Sequence, residues 1–235
     1  MSDHYPIEEL NAGLVEVLES AAELQERIPD ATRVGGTAAA LYAGHRTSHD
    51  HDHVVGDLRD RYDIILEALE SEPDWVTNRV TPGKVILGQI GDIEAGVRQL
   101  IRTVPLEVRE VGLPSGSTVR VPTQEETLRI KAFLAVKRNQ VRDYLDIAAL
   151  SHRYGRGRAA QTLSEIDRYY TDPGQRGTPV ADQVARQLAD PRPKDSRSLQ
   201  RLQNYKGLRP RWQKWENVTE VLTDVAGRMT RRDYR

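Results

Sequence analysis

The feature that most restricts how this 235-residue chain can fold is a change of apolar rhythm at Thr123. Between residues 75 and 121, short β-branched and apolar runs (75–80, 84–90, 93–101, 106–111 and 118–121) are separated by Pro82-Gly83, Pro105 and Pro114-Ser115-Gly116. Runs of that length closed by turn residues predict strands. From Thr123 onward, Leu128, Ile130, Phe133, Leu134, Tyr144, Leu145, Ile147 and Leu150 recur at helical spacing, and Thr123 with Glu126 reads as a capping box. Stretches rich in Gly, Pro and Arg near 171–179 and 190–196 separate further helices, the last over about 210–230.

Upstream, Ile7, Leu10, Leu14, Val17, Leu18, Ala21 and Leu24 outline an amphipathic helix over 7–28, closed by Pro29. Gly35-Gly36 follows a short apolar segment, 37–42 is alanine-rich and helix-prone, and 47–55 reads as a strand. Asp57 is placed to cap a second helix that ends near residue 71. The expected architecture is a sheet domain over 1–122 followed by a helical domain over 123–235.

No window offers eighteen uncharged apolar residues, and Asp3, Glu8 and Glu9 occupy the start where a leader carries basic residues, so the sequence predicts a cytoplasmic chain with no membrane partner. The absence of cysteine excludes disulfide frameworks, thiolate metal centres and thiol nucleophiles. The charge is divided unevenly. Residues 1–75 hold 5 basic and 17 acidic side chains, residues 76–195 hold 19 and 14, and residues 196–235 hold 10 and 4. The near-neutral whole therefore contains a basic majority that can attract a phosphate backbone. In the last forty residues Tyr205, Trp212 and Trp215 interleave with Lys206, Arg209, Arg211 and Lys214, which suits either stacking on exposed bases or a helical core with a solvated cationic face.

His45, His49, His51 and His53 crowd into nine residues together with Asp50 and Asp52. On a strand, His49, His51 and His53 point one way and Ser48, Asp50 and Asp52 the other. The histidine face suits packing better than a metal site, whose further ligands would have to come from His4 or His152. The opposite face, S-x-D-x-D, carries two carboxylates roughly 7 Å apart, able to hold one magnesium ion or a pair. A dozen residues earlier, Gly35-Gly36-Thr37 sits where a strand turns into a helix, so backbone N–H groups there can cradle phosphates. Farther on, Lys131 and Arg138 fall on one helix face with Arg142 four residues beyond, a stripe suited to phosphate, while Asp143 and Asp146 are free to pair with arginine.

The run Gly35 to Asp52, Gly-Gly-Thr-Ala-Ala-Ala-Leu-Tyr-Ala-Gly-His-Arg-Thr-Ser-His-Asp-His-Asp, resembles the first motif of the AbiEii/AbiGii-type (MenT-like) nucleotidyltransferase toxins of the DNA polymerase β-like superfamily. Leu128-Arg129-Ile130-Lys131-Ala132, Arg138 and then Arg142-Asp143-Tyr144-Leu145-Asp146 are similar to that family's later lysine, arginine and R-D-x-x-D pattern. The resemblance spans residues 30–155. It implies an α+β fold: a polymerase β-like core of mixed sheet flanked by helices, followed by a helical C-terminal domain. It also implies that Asp146, with Asp143 as second choice, is the acid of the last motif. Such enzymes often carry a third carboxylate on a neighbouring strand, a place open to Asp92 or Glu94, and Arg98 suits a nucleotide or RNA contact or, equally, a structural one.

Together these readings predict a magnesium-dependent nucleotidyltransferase. Gly35, Gly36, Thr37 and Ser48 would hold the triphosphate, Asp50 and Asp52 the metal, Lys131 the leaving group, and Arg138, Asp143 and Asp146 the nucleotide, with Asp146 alternatively accepting the acceptor's proton. The resemblance implies the tRNA 3′ end as acceptor and an antitoxin protein as partner. A nucleotidyltransferase acting on a small molecule or protein side chain, or a catalytically silent nucleotide- or RNA-binding module, are the alternatives.

Overall fold

Asn11 opens the first helix, its side chain accepting from the Gly13 N–H at 2.9 Å, so α1 (Ala12–Arg27) starts later than the apolar spacing predicts. The computed structural model describes residues 9–102, 104–175 and 177–231; Ile7 and His4 lie outside the described residues. Five strands form one sheet in the order β1-β2-β5-β4-β3: β1 (Thr32–Val34), β2 (Asp50–Val55), β3 (Trp75–Thr81), β4 (Val85–Ile90) and β5 (Ile93–Gln99). The sheet is mixed, because β2 and β5 run parallel while the other neighbours run antiparallel. Helix α2 (Gly35–Ala43) connects β1 to β2, and α3 (Tyr62–Glu70) follows β2. A separate hairpin, β6 (Val108–Gly112) with β7 (Thr118–Pro122), leads into the helices.

Alternation then sorts the sheet's side chains. Val55, Ile86, Ala95 and Val97 are buried with Leu24 of α1, Ile28 just after it, and Ile65 and Leu69 of α3. The other parity of the central strands presents Asp50, Asp52, Glu94 and Arg98, with Asp50 opposite Glu94 and Asp52 opposite Gly96. Helices α4 (Gln124–Arg138), α5 (Val141–Tyr154), α6 (Arg156–Ser164), α7 (Val180–Ala189) and α8 (Trp215–Thr230) form the C-terminal part. One apolar cluster joins Leu14 and Leu18 of α1, Tyr42 of α2 and Val121 of β7 to Leu128, Leu145, Leu188 and Leu222. Among the described residues no helix is long and apolar enough to cross a membrane.

Several local expectations are corrected. Asp57 does not cap α3; it accepts from the Arg61 side chain at 2.8 and 2.7 Å, and the helix begins only at Tyr62. The capping box at Thr123 is half-formed: Thr123 accepts from the Glu126 N–H at 3.2 Å, but the Thr123 N–H donates to the Glu107 carbonyl and the Glu126 carboxylate goes to Arg102 and Arg129. The helical pattern over 128–150 is two helices, not one. Asn139 takes a left-handed conformation (φ 51°) and closes α4, so Arg142 does not continue the stripe begun by Lys131 and Arg138. The strand expected from residue 47 starts at Asp50, since the Thr47 N–H is bonded to the Lys206 carbonyl instead of a strand neighbour. The final helix is preceded by a separate 3-10 turn, Pro210–Gln213.

Candidate active site

Gly35 and Gly36 are the first residues of α2, and Gly35 has φ +84°, a conformation that side chains rarely adopt. A Cβ on Gly36 would press on the Arg46 guanidinium and come within 3.0 Å of Ser48 Oγ, so glycine there lets the helix start approach the loop before β2. Thr37, fully buried, donates its hydroxyl to the Asp50 carbonyl at 2.9 Å and ties α2 to that strand. Beneath both lies Arg33, also fully buried, donating to the backbone carbonyls of Asp52 at 2.8 Å and Asp50 at 2.7 Å. Burial lowers the Arg33 pKa to about 10, while Asp52 and Asp50 pull it the other way. Arg33 thus fixes the backbone that carries both aspartates, a role for which no local sequence pattern gives a sign.

Ser48 and Asp50 open onto a cleft of about 1110 Å³. Ser48 donates to Asp50 Oδ1 at 3.0 Å. Burial pushes the Asp50 carboxyl up, but Arg33 beneath it and the Ser48 hydroxyl hold it below the usual carboxylate range. Asp92 and Glu94 line the same cleft, Glu94 in register beside Asp50. Asp52, on the same strand face, is half-buried and accepts from Arg98 Nε at 3.2 Å. Among the described residues no three His, Asp or Glu side chains gather to hold a metal ion. Two oxygen donors on one exposed face nonetheless match magnesium, which is commonly held by one or two carboxylates together with substrate phosphates. His51 and His53 are fully buried on the opposite side, ring centroids 5.2 Å apart, with Ser20 Oγ 3.3 Å from His51 Nε2.

The second motif assembles elsewhere. Lys131 Nζ lies 2.8 Å from Asp146 and 3.7 Å from Asp143; Arg138 pairs with both oxygens of Asp143 at 2.8 and 3.0 Å; and Arg46 pairs with both oxygens of Asp146 at 2.8 and 3.1 Å. The result is a row of alternating charges, Arg46, Asp146, Lys131, Asp143, Arg138, joining the first-motif loop to α4 and α5. Lys131, Asp143 and Asp146 are buried. Burial alone would raise the Asp146 pKa; Arg46, Lys131 and His45 hold it well below the carboxylate range. His45 Nε2 is 2.8 Å from Asp146, and burial keeps the imidazole pKa low, so a neutral ring donates this bond. Of this row only Arg46 lines the cleft, beside Ser48. Gly35, Gly36, Ser48, Asp50 and Asp52 are therefore brought together, whereas Lys131, Asp143 and Asp146 reach them through Arg46.

The cleft's remaining wall comes from the part of the chain that resembles nothing in the motif set. The 3-10 segment Ser196–Asn204 and residues 205–206 contribute Arg197, Arg201, Tyr205 and Lys206. The tryptophans expected as stacking candidates are otherwise engaged. Trp212 is 4% exposed and meets His152 edge-on at 5.7 Å, and Trp215 meets Tyr144 at 6.0 Å against the helical core.

A mixed sheet carrying two aspartates on one strand face beside a helix that starts on Gly-Gly, with helices following, is a nucleotidyltransferase-like α+β fold. Solved structures agree on the fold. Over 93% of this chain and 92% of the other, JHP933 from Helicobacter pylori superposes with a TM-score of 0.51 at 16% identity. An antigenic nucleotidyltransferase-like protein from Paracoccidioides brasiliensis does so with a TM-score of 0.50 at 17% identity, over 84% of this chain and 95% of the other. No family model matches the chain. Among curated proteins, the heme uptake protein MmpL11 of Mycobacterium tuberculosis is 31% identical over 210 residues, covering 76% of this chain and 19% of the relative. The mycolic acid-containing lipids exporter MmpL11 of Mycolicibacterium smegmatis is 40% identical over 149 residues, covering 63% of this chain and 13% of the relative. The chain thus spans at most about a fifth of the length of these relatives.

Proposed function

We propose that the chain is a magnesium-dependent nucleotidyltransferase toxin that joins a nucleoside monophosphate to the 3′ end of tRNA, blocks translation by doing so, and is silenced by a cognate antitoxin protein. The observation that carries the catalytic part is the juxtaposition of Ser48 and Asp50, which line a cleft large enough for a nucleotide, with Asp52 and the Gly35-Gly36 helix start beside them. The motif resemblance over residues 30–155 supports the acceptor and the partner. The acceptor hydroxyl oxygen attacks the α-phosphorus, the bond from that phosphorus to the β-phosphate bridging oxygen breaks, and pyrophosphate departs. The hydroxyl proton passes to water in the cleft.

Asp50 and Asp52 would hold the magnesium, which when bound neutralises phosphate charge. Gly35, Gly36 and Ser48 orient the triphosphate, and Arg46 beside Ser48 supplies fixed positive charge. Lys131 and Asp146 act by holding Arg46 and the loop, a positioning role distinct from direct contact with the leaving group. In the test, purified protein is incubated with tRNA, magnesium and each α-labelled nucleoside triphosphate. Label in tRNA with at least one nucleotide, lost in Asp50→Asn, is the expected result; no label with any of the four overturns the reading.

A further inference from the structure

The segment from Asp195 to Arg209 is fastened at both ends. At its start the Val141 N–H donates to Asp195 Oδ1 at 2.8 Å, and the Lys194 N–H donates to the Asn139 carbonyl at 2.8 Å, at the corner between α4 and α5. At its end the Thr47 N–H donates to the Lys206 carbonyl at 3.1 Å and the Arg209 N–H to the His45 carbonyl at 2.9 Å, on the loop that carries Ser48. Gly207 (φ +65°) allows this approach, because a Cβ there would collide with Thr47. Leu202, 2% exposed, pins the middle to the core. The strap therefore forms a fixed wall across the cleft from β2.

Charges on the two walls are complementary yet unjoined. Asp50, Asp92 and Glu94 line one side; Arg197, Arg201 and Lys206, all exposed, line the other and form no ion pair among the described residues. Lys131 and Arg138 of the second motif are already neutralised by Asp143 and Asp146. A ligand matching both walls is an anion that also carries a divalent cation. Its metal would face the carboxylates and its outer oxygens the guanidiniums, which suit phosphate through paired N–H donors.

We infer that Arg197 and Arg201 on this strap bind the polyphosphate tail of the incoming nucleoside triphosphate, with Lys206 beside them, and so take the place expected for Lys131. The inference rests on the nucleotidyltransferase reading and names further residues of that site. It is tested with Arg197→Gln, Arg201→Gln and the double variant, measuring equilibrium binding of magnesium tripolyphosphate, of each nucleoside triphosphate and of tRNA, together with KM and kcat for transfer. Because both side chains are exposed, thermal unfolding should be unchanged and reports folding independently. Expected is about a tenfold weakening per arginine for tripolyphosphate and for the nucleotide used, with a matching rise in KM and tRNA binding within about twofold. Wild-type affinity for both anions in the double variant overturns the inference while leaving the transfer reaction intact. A loss confined to tRNA also overturns it, assigning the strap to the acceptor. If tripolyphosphate binding depends on the arginines but the wild-type protein labels no RNA, the strap assignment stands and the proposed reaction falls.

Discussion

Asp146 illustrates what a single side chain does here. It is buried, accepts from His45, Arg46 and Lys131, and keeps its charge because those donors outweigh the cost of burial. Removing one member of such a row strands a neighbour: Lys131→Met should cost about 3–5 kcal/mol of stability, read as a lower urea midpoint. By contrast Asp50 is exposed and bonded to the hydroxyl of Ser48. Asp50→Asn should therefore abolish transfer and, because Arg33 loses part of its compensation, lower the unfolding temperature, but by much less than Lys131→Met does, so that the two variants separate folding from chemistry. The buried histidines give a pH dependence. Burial lowers the His51 pKa to about 3 and that of His53 well below its ordinary value. The unfolded chain then binds protons that the folded one refuses, so stability is fully present above about pH 6.5 and falls as pH drops toward 3, by up to about 1.4 kcal/mol per pH unit per histidine. Chemical denaturation in EDTA between pH 7.5 and 5 should show this slope, and His53→Leu, which also removes a buried Nε2 with no hydrogen-bond partner among the described residues, should reduce it to the part that His51 contributes. Equal slopes in the two proteins would sink the assignment.

At the scale of elements, the loop before β2 and the strap meet through backbone hydrogen bonds, and the strap's geometry hinges on Gly207. Gly207→Ala should strain the left-handed backbone and push Thr47 away, costing about 1–3 kcal/mol. Hydrogen exchange at the Thr47 and Arg209 amides, which are bonded across this junction, should accelerate in the variant while exchange in α4 and α5 stays slow. The strands and helices were largely legible because each depends on neighbours two to four residues away: the alternation in Asp50–Val55 sorted aspartates from histidines before any tertiary contact was known. Failures came where a distant partner competed. Glu126 could not complete its capping box because Arg102 and Arg129 claimed its carboxylate, and the run past Arg138 could not stay one helix because Asn139 turns the chain and its carbonyl receives Lys194.

For the whole molecule, the C-terminal region is part of the core as well as of the cleft. Leu202, Trp212, Val221, Leu222 and Val225 are buried in the cluster that includes Leu14 and Leu145. A truncation after residue 195 is accordingly expected to lose cooperative unfolding, observed by circular dichroism, and would report folding before it reported substrate choice. The amino-acid sequence by itself determined the succession of strands and then helices, the common facing of Asp50 and Asp52, and the glycine turn before α2, since these follow from local periodicity and backbone sterics. Only the tertiary structure decided that Lys131 and Asp146 are enclosed and that Arg46, a hundred residues away in sequence, pairs with Asp146. It alone also brought Arg197, Arg201 and Lys206, which form no ion pair among the described residues, into one cleft with Asp50. Charges so far apart along the chain find one another through packing, which no local pattern encodes.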